Sequence, residues 1–341
     1  MPRLSLSELS SQASETPLAA TCHAQLAGRV EKSTKSGKPY LELTFADATT
    51  SFSLKAWADH PQYSALHGMA LGSALSLSGT FTKNQWGIDG SPWTTEPLSP
   101  EEADALLAGD PETMERQNAD YADITAFIDG ITDPRLHALC THFLEKFGDR
   151  FRRTAAAKKN HHARRGGLVE HVAQMMRSAN AIAGVYPQLN RDLLLAGVLF
   201  HDCGKLWENC YPESGFTQTQ SLTGELIGHI PLGMELVNRL WRDLAMEPAS
   251  EGWSGLQPAS ETVRLHLLHL IASHHGTHEF GSPTLPKTPE AHALHYVDNL
   301  DAKLEMVKDS YQTSNETIPG VYERQFPLPT NLVEPLPGFS T

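Results

Sequence analysis

The feature that most constrains this chain is an apolar run that ends in two polar residues. Residues 193–200 are apolar throughout, and His201 and Asp202 follow them directly, with Gly204 and Lys205 just beyond. A helix that is apolar on every side is buried, and a glycine favours its end. That end carries about −0.5 of an elementary charge, and a buried aspartate needs a partner. Either a His–Asp hydrogen bond fastens the core here, or the pair binds a cation.

Length and charge limit the remaining possibilities. The 341 residues are enough for two domains, and the net charge of −13 argues against a protein that coats nucleic acid through bulk electrostatics. No apolar run reaches the roughly 18 residues that cross a bilayer, and residues 1–5 lack the pattern of a secretory signal. Scattered cysteines indicate free thiols in a reducing cytosol: Cys22, Cys140, Cys203 and Cys210. We therefore expect a cytoplasmic protein with no membrane partner.

Short strands with turn signals dominate the N-terminal third. Residues 1–16 are polar and serine-rich, which predicts a flexible lead. Between residues 17 and 98, apolar and polar positions alternate, as in 41–45, and the fifth and last strand is predicted at 85–88. Short strands that follow one another so closely predict a small all-β barrel of the OB type.

The same alternation predicts which barrel side chains face the solvent. If Leu41 and its alternate neighbours face the core, Tyr40 and Trp57 point outward. They would lie near lysines of the same strands and turns, namely Lys35, Lys38 and Lys55. Exposed aromatic rings beside cations are typical of surfaces that bind single-stranded nucleic acid. The alternative is that Trp57 closes one end of the barrel as part of its core.

A charged stretch joins the barrel to a helical region. Residues 99–125 are acidic with few apolar positions, which predicts a linker with a helical turn around residues 100–107. Residues 126–313 have an apolar period of 3.6, which is typical of an all-α domain. A basic cluster stands out early in this domain: Lys146, Arg150, Arg152, Arg153, Lys158, Lys159, Arg164 and Arg165. It either binds a phosphate backbone or is a solvated helix face.

Several helices of this region place imidazole or carboxylate groups on their apolar faces. The inward set is His171, His201, Asp202, His229, His274 and Asp298. One inward histidine is ordinary, but so many buried polar groups are costly unless they share a partner. Histidines mixed with carboxylates suit divalent ions such as Mn²⁺, Fe²⁺ or Mg²⁺. Because these ligands exceed the need of one tetrahedral ion, two ions bridged by Asp202 are a further interpretation.

These residues carry a resemblance to known families. The HD-domain phosphohydrolase superfamily has the pattern His … His-Asp … Asp, which the chain matches at His171, His201, Asp202 and Asp298. The added His229 and His274 resemble the two-metal branch of that superfamily. Together with the barrel, the segments 161–171, 196–205, 273–276 and 295–303 are similar to those of YhaM-type 3′→5′ exoribonucleases. The first of these segments also resembles HD domains appended to some relaxases.

The resemblance implies hydrolysis of single-stranded RNA, with DNA as a further candidate, from the 3′ end to nucleoside 5′-monophosphates. It implies one or two divalent ions per chain, with Mn²⁺ ahead of Fe²⁺, Co²⁺ and Mg²⁺, held by the inward set. Asp202, Lys205 and His275 would be catalytic. Lys205 either holds a phosphate oxygen or is a solvated lysine, and His275 is either a seventh ligand or a proton donor to the leaving oxygen. The implied substrate-binding residues are His162, Lys158, Arg164, Arg165, Lys38, Tyr40 and Trp57.

Two other functions stay open at this point. An HD-type hydrolase of nucleotides or cyclic dinucleotides would use the same ligands, although the Gly-Tyr-Pro signature of the cyclic-dinucleotide branch is absent. A non-catalytic single-strand binder would keep the fold without the chemistry. Residues 314–341 are proline-rich, which predicts an extended tail. The sequence also leaves homo-oligomers open.

Overall fold

The chain forms two compact units. The structure, a computed structural model, describes residues 1–34, 36–48, 50–84, 87–158, 161–218 and 221–338, except the side chain of Ala249. One unit is Met1–Arg116 with Tyr211–Gln218, and the other is Gln117–Cys210 with Thr219–Thr341. No helix in the described ranges is long and apolar enough to cross a membrane.

The first unit is built on a curled antiparallel sheet. Its strands are β1 (Leu18–Ser33), β2 (Pro39–Ala46), β3 (Ser51–Trp57), β4 (Ala74–Asn84) and β5 (Gly87–Pro97), in the spatial order β3-β2-β1-β4-β5. A short helix, α2 (Tyr63–Gly68), connects β3 to β4, and contacts between β3 and β5 bring the two sheet edges together. Leu41, Leu43 and Phe45 are fully buried because alternate side chains of a strand share a face. The prediction of an OB-type all-β region is confirmed.

The N-terminal lead contains a helix, in contrast to the flexible chain that its composition predicts. Helix α1 (Leu6–Gln12) begins with a capping box at Ser5. Leu6 and Leu9 are fully buried in the core of the barrel, and the Leu6 amide donates to Asp47 Oδ2 over 2.8 Å. This burial explains why so short a helix is held in place.

The fifth strand is longer than the sequence predicts. The expected strand covers residues 85–88, of which Gln85 and Trp86 lie outside the described residues, whereas β5 has 11 residues. Trp93 of this strand is buried in the barrel core. The preceding residue, Pro92, explains why the sequence does not predict the rest of this strand, because a proline within a run argues against a strand.

The acidic stretch contains more helix than the single turn that the sequence predicts around residues 100–107. Helices α3 (Pro100–Ala108) and α4 (Pro111–Asp129) occupy most of it. A capping box at Ser99 opens α3, and Ile124 of α4 is fully buried in the helical unit. Most acidic side chains of the stretch are exposed, which is why the composition resembles that of a solvated linker.

The second unit is helical, as predicted. Its further helices are α5 (Pro134–Phe151), α6 (Gly167–Val185), α7 (Arg191–Phe200), α8 (Leu222–Ile227), α9 (His229–Ala245), α10 (Ser260–Ser273) and α11 (Pro289–Thr313). Short 3-10 segments lie at Cys203–Trp207, Pro248–Gly255 and His278–Phe280. Helix α7 is buried from residue 193 onward, and Phe200 meets Phe143 of α5 edge-on with ring centroids 5.2 Å apart. This packing fixes the end of α7 inside the unit.

The tail is folded, although its prolines predict an extended chain. Three short strands form an antiparallel sheet: β6 (Glu316–Ile318), β7 (Val321–Tyr322) and β8 (Leu332–Val333). Gly320, at φ +76°, makes the turn between β6 and β7 because glycine adopts that angle freely. The Tyr311 hydroxyl of α11 donates to the Val333 carbonyl over 2.8 Å. Residues 339–341 lie outside the described part of the tail.

Candidate metal centre

The end of α7 places a histidine and an aspartate in the interior. The His201 amide continues the helical pattern by donating to Gly197 O over 2.9 Å. Asp202 comes next and precedes the 3-10 segment Cys203–Trp207. Both side chains are buried. Their position is therefore fixed by the packing of α7, as the apolar run predicts.

Four imidazole rings from different helices surround the carboxylate of Asp202. His201 Nε2 is 3.3 Å and His171 Nε2 is 4.0 Å from Oδ2. On the other side of the carboxylate, His229 Nε2 is 3.5 Å and His274 Nε2 is 3.7 Å from Oδ1. The structure thus brings together residues that are up to about a hundred positions apart in the sequence, and it divides them between the two oxygens of one aspartate.

Asp298 completes the group. Asp298 lies on α11, and its Oδ1 is 3.4 Å from His171 Nε2. The His171 and His201 Nε2 atoms are themselves 3.3 Å apart. All six predicted ligands therefore belong to one connected group, which is joined through Asp202 and His171.

Each of the four histidines uses its other ring nitrogen to hold its orientation. The Nδ1 contacts are His171 to Asp301 Oδ2 at 2.6 Å, His201 to Val198 O at 2.8 Å, His229 to Glu208 Oε2 at 3.1 Å, and His274 to Ile271 O at 2.8 Å. Because all four partners are acceptors, each Nδ1 is placed to donate a hydrogen bond, and in the neutral ring the Nε2 that faces inward carries the lone pair. Such a bond on the outer nitrogen is the usual arrangement of a metal-ligating histidine.

Atoms without partners show that the group fits a metal. Asp202 Oδ1, His229 Nε2 and His274 Nε2 are buried and form no hydrogen bond with any described residue. A buried polar atom without a partner costs about 1–3 kcal/mol, so three at one point need a common ligand. Imidazole and carboxylate donors suit a divalent metal.

The electrostatics of the centre differ between its ligands. Burial opposes ionisation of His171, but hydrogen bonds to Asp298 and Asp301 outweigh it and raise the pKa of that ring to about 9, so a metal would displace a proton from it. Burial and the neighbouring His275 and His201 hold the pKa of His274 well below its usual value, which keeps its ring neutral. Burial opposes ionisation of Asp202, but Lys205 and His201 outweigh it and hold the pKa of that carboxyl well below its usual range. Neutral imidazole and ionised carboxylate are the forms that ligate metals.

Lys205 and His275 lie beside the centre. Lys205 Nζ is 2.6 Å from Asp202 Oδ2, so this ammonium is already paired with the carboxylate. His275 also lies close to two of the ligands: one ring nitrogen from each of His229, His274 and His275 lies within 4.8 Å of the other two. His275 Nδ1 donates to Phe280 O over 2.6 Å, which leaves its Nε2 for other partners.

A cleft of about 350 Å³ opens onto these residues. It is lined by His161, Asp202, Lys205, His275, Phe280, His295, Asp298, Asn299, Ala302, Lys303 and Met306. Two of the candidate metal ligands therefore face a space that a ligand can enter.

Comparison with known proteins places this centre in a family. The HD domain model matches residues 168–303, a range that contains all six converging residues. The 3′-5′ exoribonuclease YhaM of Bacillus licheniformis is 33% identical over 309 residues, which cover 88% of this chain and 90% of that protein. The chain belongs to the YhaM family of 3′-5′ exoribonucleases. The YhaM of a Geobacillus species is 35% identical over 279 residues, which cover 80% of this chain and 78% of that protein.

Several of the predicted substrate-binding residues of this YhaM-family chain are buried or form ion pairs within the protein. The His162 side chain is fully buried, which gives no support to its predicted contact with the substrate. Arg164 pairs with the buried carboxylates of Glu170 and Glu305, which occupies its guanidinium. Lys158 Nζ is 2.6 Å from Glu225 Oε1 on the surface. Of the remaining basic residues, Lys159 lies outside the described residues.

A buried polar network below the centre escaped sequence analysis. Asp301 Oδ2 contacts both His171 Nδ1 at 2.6 Å and His162 Nε2 at 3.1 Å, while His162 Nδ1 lies 3.5 Å from Glu170 Oε2. These contacts fix the orientation of His171. Since His171 Nδ1 donates to Asp301, we interpret the trio of His162, His171 and Asp301 as hydrogen-bonded support. The sequence signal was Asp301 itself, one turn beyond Asp298 on the same face.

Replacement of Asp301 by asparagine is expected to weaken metal binding by about 10- to 100-fold, the usual effect of losing a partner of a ligating histidine. A neutral amide oxygen is a poorer acceptor for His171 Nδ1 than a carboxylate. Competition with a chelating dye measures the affinity. The same change at Asp309, farther along α11, is the control, and equal affinities of the two variants would contradict this role of Asp301.

On the first unit, two aromatic rings form a surface pair. Tyr40 and Trp57 are directly paired across β2 and β3, with ring centroids 4.9 Å apart and 41° between the planes. Trp57 is 45% exposed, so it does not close the barrel as core. Lys38 and Lys55 are also exposed, whereas Lys35 lies outside the described residues.

Proposed function

We propose that this chain is a metal-dependent 3′→5′ exonuclease that releases nucleoside 5′-monophosphates from single-stranded RNA. The observation that carries the proposal is the buried group of partnerless metal-binding atoms at a cleft in a chain of the YhaM family. Hydrolysis adds the hydroxyl of water to phosphorus and breaks the bond to the 3′ oxygen of the preceding nucleotide, which takes up the proton. The shortened strand then ends in a new 3′ hydroxyl.

Mn²⁺ is the ion we propose for the centre. A divalent cation bound there lowers the pKa of a coordinated water and neutralises charge on the phosphoryl oxygens. The division of the histidines between Asp202 Oδ1 and Oδ2 supports two ions, one of which His171 and His201 would help to hold and the other His229 and His274.

Residues of the chain supply the remaining chemistry. Lys205 keeps Asp202 ionised through their 2.6 Å contact and presents positive charge to the cleft, where a phosphate oxygen accumulates charge in the transition state. His275 is oriented by its bond to Phe280 O, and we assign it the delivery of a proton to the departing 3′ oxygen. Burial lowers the pKa of His275, so the ring is mostly neutral near pH 7 and has to take up a proton at Nε2 before it can deliver one.

The barrel is proposed to hold the upstream part of the strand. Tyr40 and Trp57 offer ring faces on which bases stack without regard to sequence, and Lys38 offers charge for the backbone. A second contact on the same chain raises the effective concentration of substrate.

Replacement of Trp57 by alanine is expected to weaken binding of single-stranded RNA by roughly 5- to 150-fold, because one stacked base contributes about 1–3 kcal/mol. Fluorescence anisotropy with labelled RNA in a chelator measures binding without cleavage. Leu71→Ala removes an exposed apolar side chain elsewhere on the same unit and is expected to leave affinity unchanged. If this surface does not bind RNA, neither Trp57→Ala nor Leu71→Ala changes the affinity for single-stranded RNA.

A labelling experiment tests the exonuclease proposal. With Mn²⁺, the protein is expected to shorten a 5′-labelled single-stranded RNA one nucleotide at a time, and a chelator is expected to stop it. Internal fragments would contradict exonuclease action. Binding without hydrolysis would favour a non-catalytic single-strand binder. Hydrolysis of free nucleotides or cyclic dinucleotides alone would favour an HD-type hydrolase of those small substrates. A parallel DNA strand determines whether the enzyme requires ribose.

A further inference from the structure

An exposed phenylalanine forms part of the wall of the metal cleft. Phe280 is 64% exposed and lines the cleft together with Asp202 and Asp298. A large apolar ring in water is unfavourable, and exposed aromatic residues in a concave site often mark contacts with a ligand. No role in the core accounts for this ring, since Phe280 belongs to neither hydrophobic cluster of the described residues.

The loop that carries this ring is firmly held. His275 Nδ1 donates to the Phe280 carbonyl over 2.6 Å. Two residues later, Ser282 is buried and its hydroxyl donates to Ala272 O over 3.2 Å. The Ser282 amide also donates to Thr277 O over 3.1 Å. The exposed ring is therefore presented by a braced backbone, which lowers the entropy lost when a ligand packs against it.

Other walls of the cleft offer polar groups that suit the rest of a nucleotide. The Asn299 amide and the Lys303 ammonium of α11 line the cleft, and neither side chain has a partner within the part of the chain that the structure describes. His161 Nδ1 is buried without a hydrogen bond there. An aromatic face, an amide and a cation around a metal centre match the base, sugar and phosphate of one nucleotide.

We propose that Phe280 is the base-stacking residue of the cleft, against which the base of the 3′-terminal nucleotide packs while the scissile phosphate lies at the metal centre. This inference rests on the proposed exonuclease function. Stacking on a ring face tolerates any base, so the site accepts each new 3′ end after the last nucleotide leaves. The ring binds substrate and transition state alike, and its loss affects KM and leaves kcat nearly unchanged.

Phe280→Ala is expected to raise KM for single-stranded RNA by roughly 5- to 150-fold with kcat within about 2-fold of the parent. Phe280→Trp is expected to restore KM, whereas Phe280→Leu, which keeps apolar bulk without a ring face, is not. Phe326→Ala removes a more exposed ring in the tail and serves as the control. Because Phe280 is exposed, the melting temperature of its variants is expected to stay near that of the parent.

An RNA strand that lacks the base of its 3′-terminal nucleotide tests whether Phe280 contacts that base. In a chelator, the parent protein is expected to bind this strand more weakly than an intact strand, and Phe280→Ala is expected to bind both equally. If Phe280→Ala discriminates between the two strands as strongly as the parent does, the proposal is wrong. This binding comparison does not depend on catalysis. If the parent protein degrades no RNA, the exonuclease function is overturned, but its affinities for the two RNA strands still determine whether Phe280 contacts the base.

Discussion

Replacement of Asp202 by asparagine is expected to reduce RNA hydrolysis by about 10⁴-fold or more, the scale at which catalytic units fail when one member is removed. Both carboxylate oxygens face imidazole nitrogens, at 3.3 Å and 3.5 Å for the nearest on each side. An asparagine keeps the shape but turns one of these oxygens into an amide donor and removes the negative charge. A bound ion would lose a carboxylate ligand, so metal binding and hydrolysis are expected to fall together.

The control for this variant is Asp149→Asn, an exposed position on α5. Metal content and stepwise shortening of labelled RNA are measured for both proteins, with circular dichroism to verify that each is folded. Loss of activity in a variant that retains its full metal content would show that Asp202 serves the reaction without binding the ion. Normal activity and metal content would remove Asp202 from the centre.

The second large effect is expected at Gly204, where a methyl group has no room. A Cβ built there would lie 1.9 Å from the His229 carbonyl oxygen and 2.8 Å from the Gly233 amide nitrogen. These are backbone atoms, so the first turn of α9 must shift, and it carries His229. Gly204→Ala is expected to lower the free energy of unfolding by about 1–3 kcal/mol. Hydrolysis is expected to fall by roughly 100-fold, the effect of a 1 Å misplacement at a catalytic site.

Gly184→Ala is the matched control, since among the described residues a Cβ at that position of α6 would meet no atom within 4 Å beyond the neighbouring backbone of its own helix. Alanine is the better helix former by up to about 1 kcal/mol, so this variant is expected to be as stable as the parent or slightly more so. Thermal unfolding and metal titration compare the two. If Gly204→Ala bound metal like the parent, the close approach of Gly204 to α9 would not position His229.

The convergence of the six ligands could be predicted because helical period and burial are local properties. An apolar face tells which way His171 or Asp298 points, and the cost of burying several such groups demands a shared partner. The strand alternation similarly predicted the exposed face of Trp57. These inferences needed no knowledge of which helices meet.

The substrate-binding role of His162 and Arg164 could not be tested from sequence, because their partners are distant in the chain. Arg164 meets Glu305, 141 positions away, and His162 meets Asp301, 139 positions away. A basic residue that enters a groove and one that pairs with a buried carboxylate look alike in sequence. By contrast, α1 and α3 did carry local signals, since capping boxes at Ser5 and Ser99 precede both.

The partnerless atoms at the centre tie the folding equilibrium of the chain to its supply of metal. An ion that binds only the folded state stabilises it in proportion to the logarithm of its concentration, by about 4 kcal/mol at a thousand times Kd. Without the ion, His229 and His274 keep buried nitrogens that water would solvate in the unfolded chain. Metal starvation therefore enlarges the unfolded fraction that proteases remove, so the abundance of the protein, and not only its rate, follows the metal.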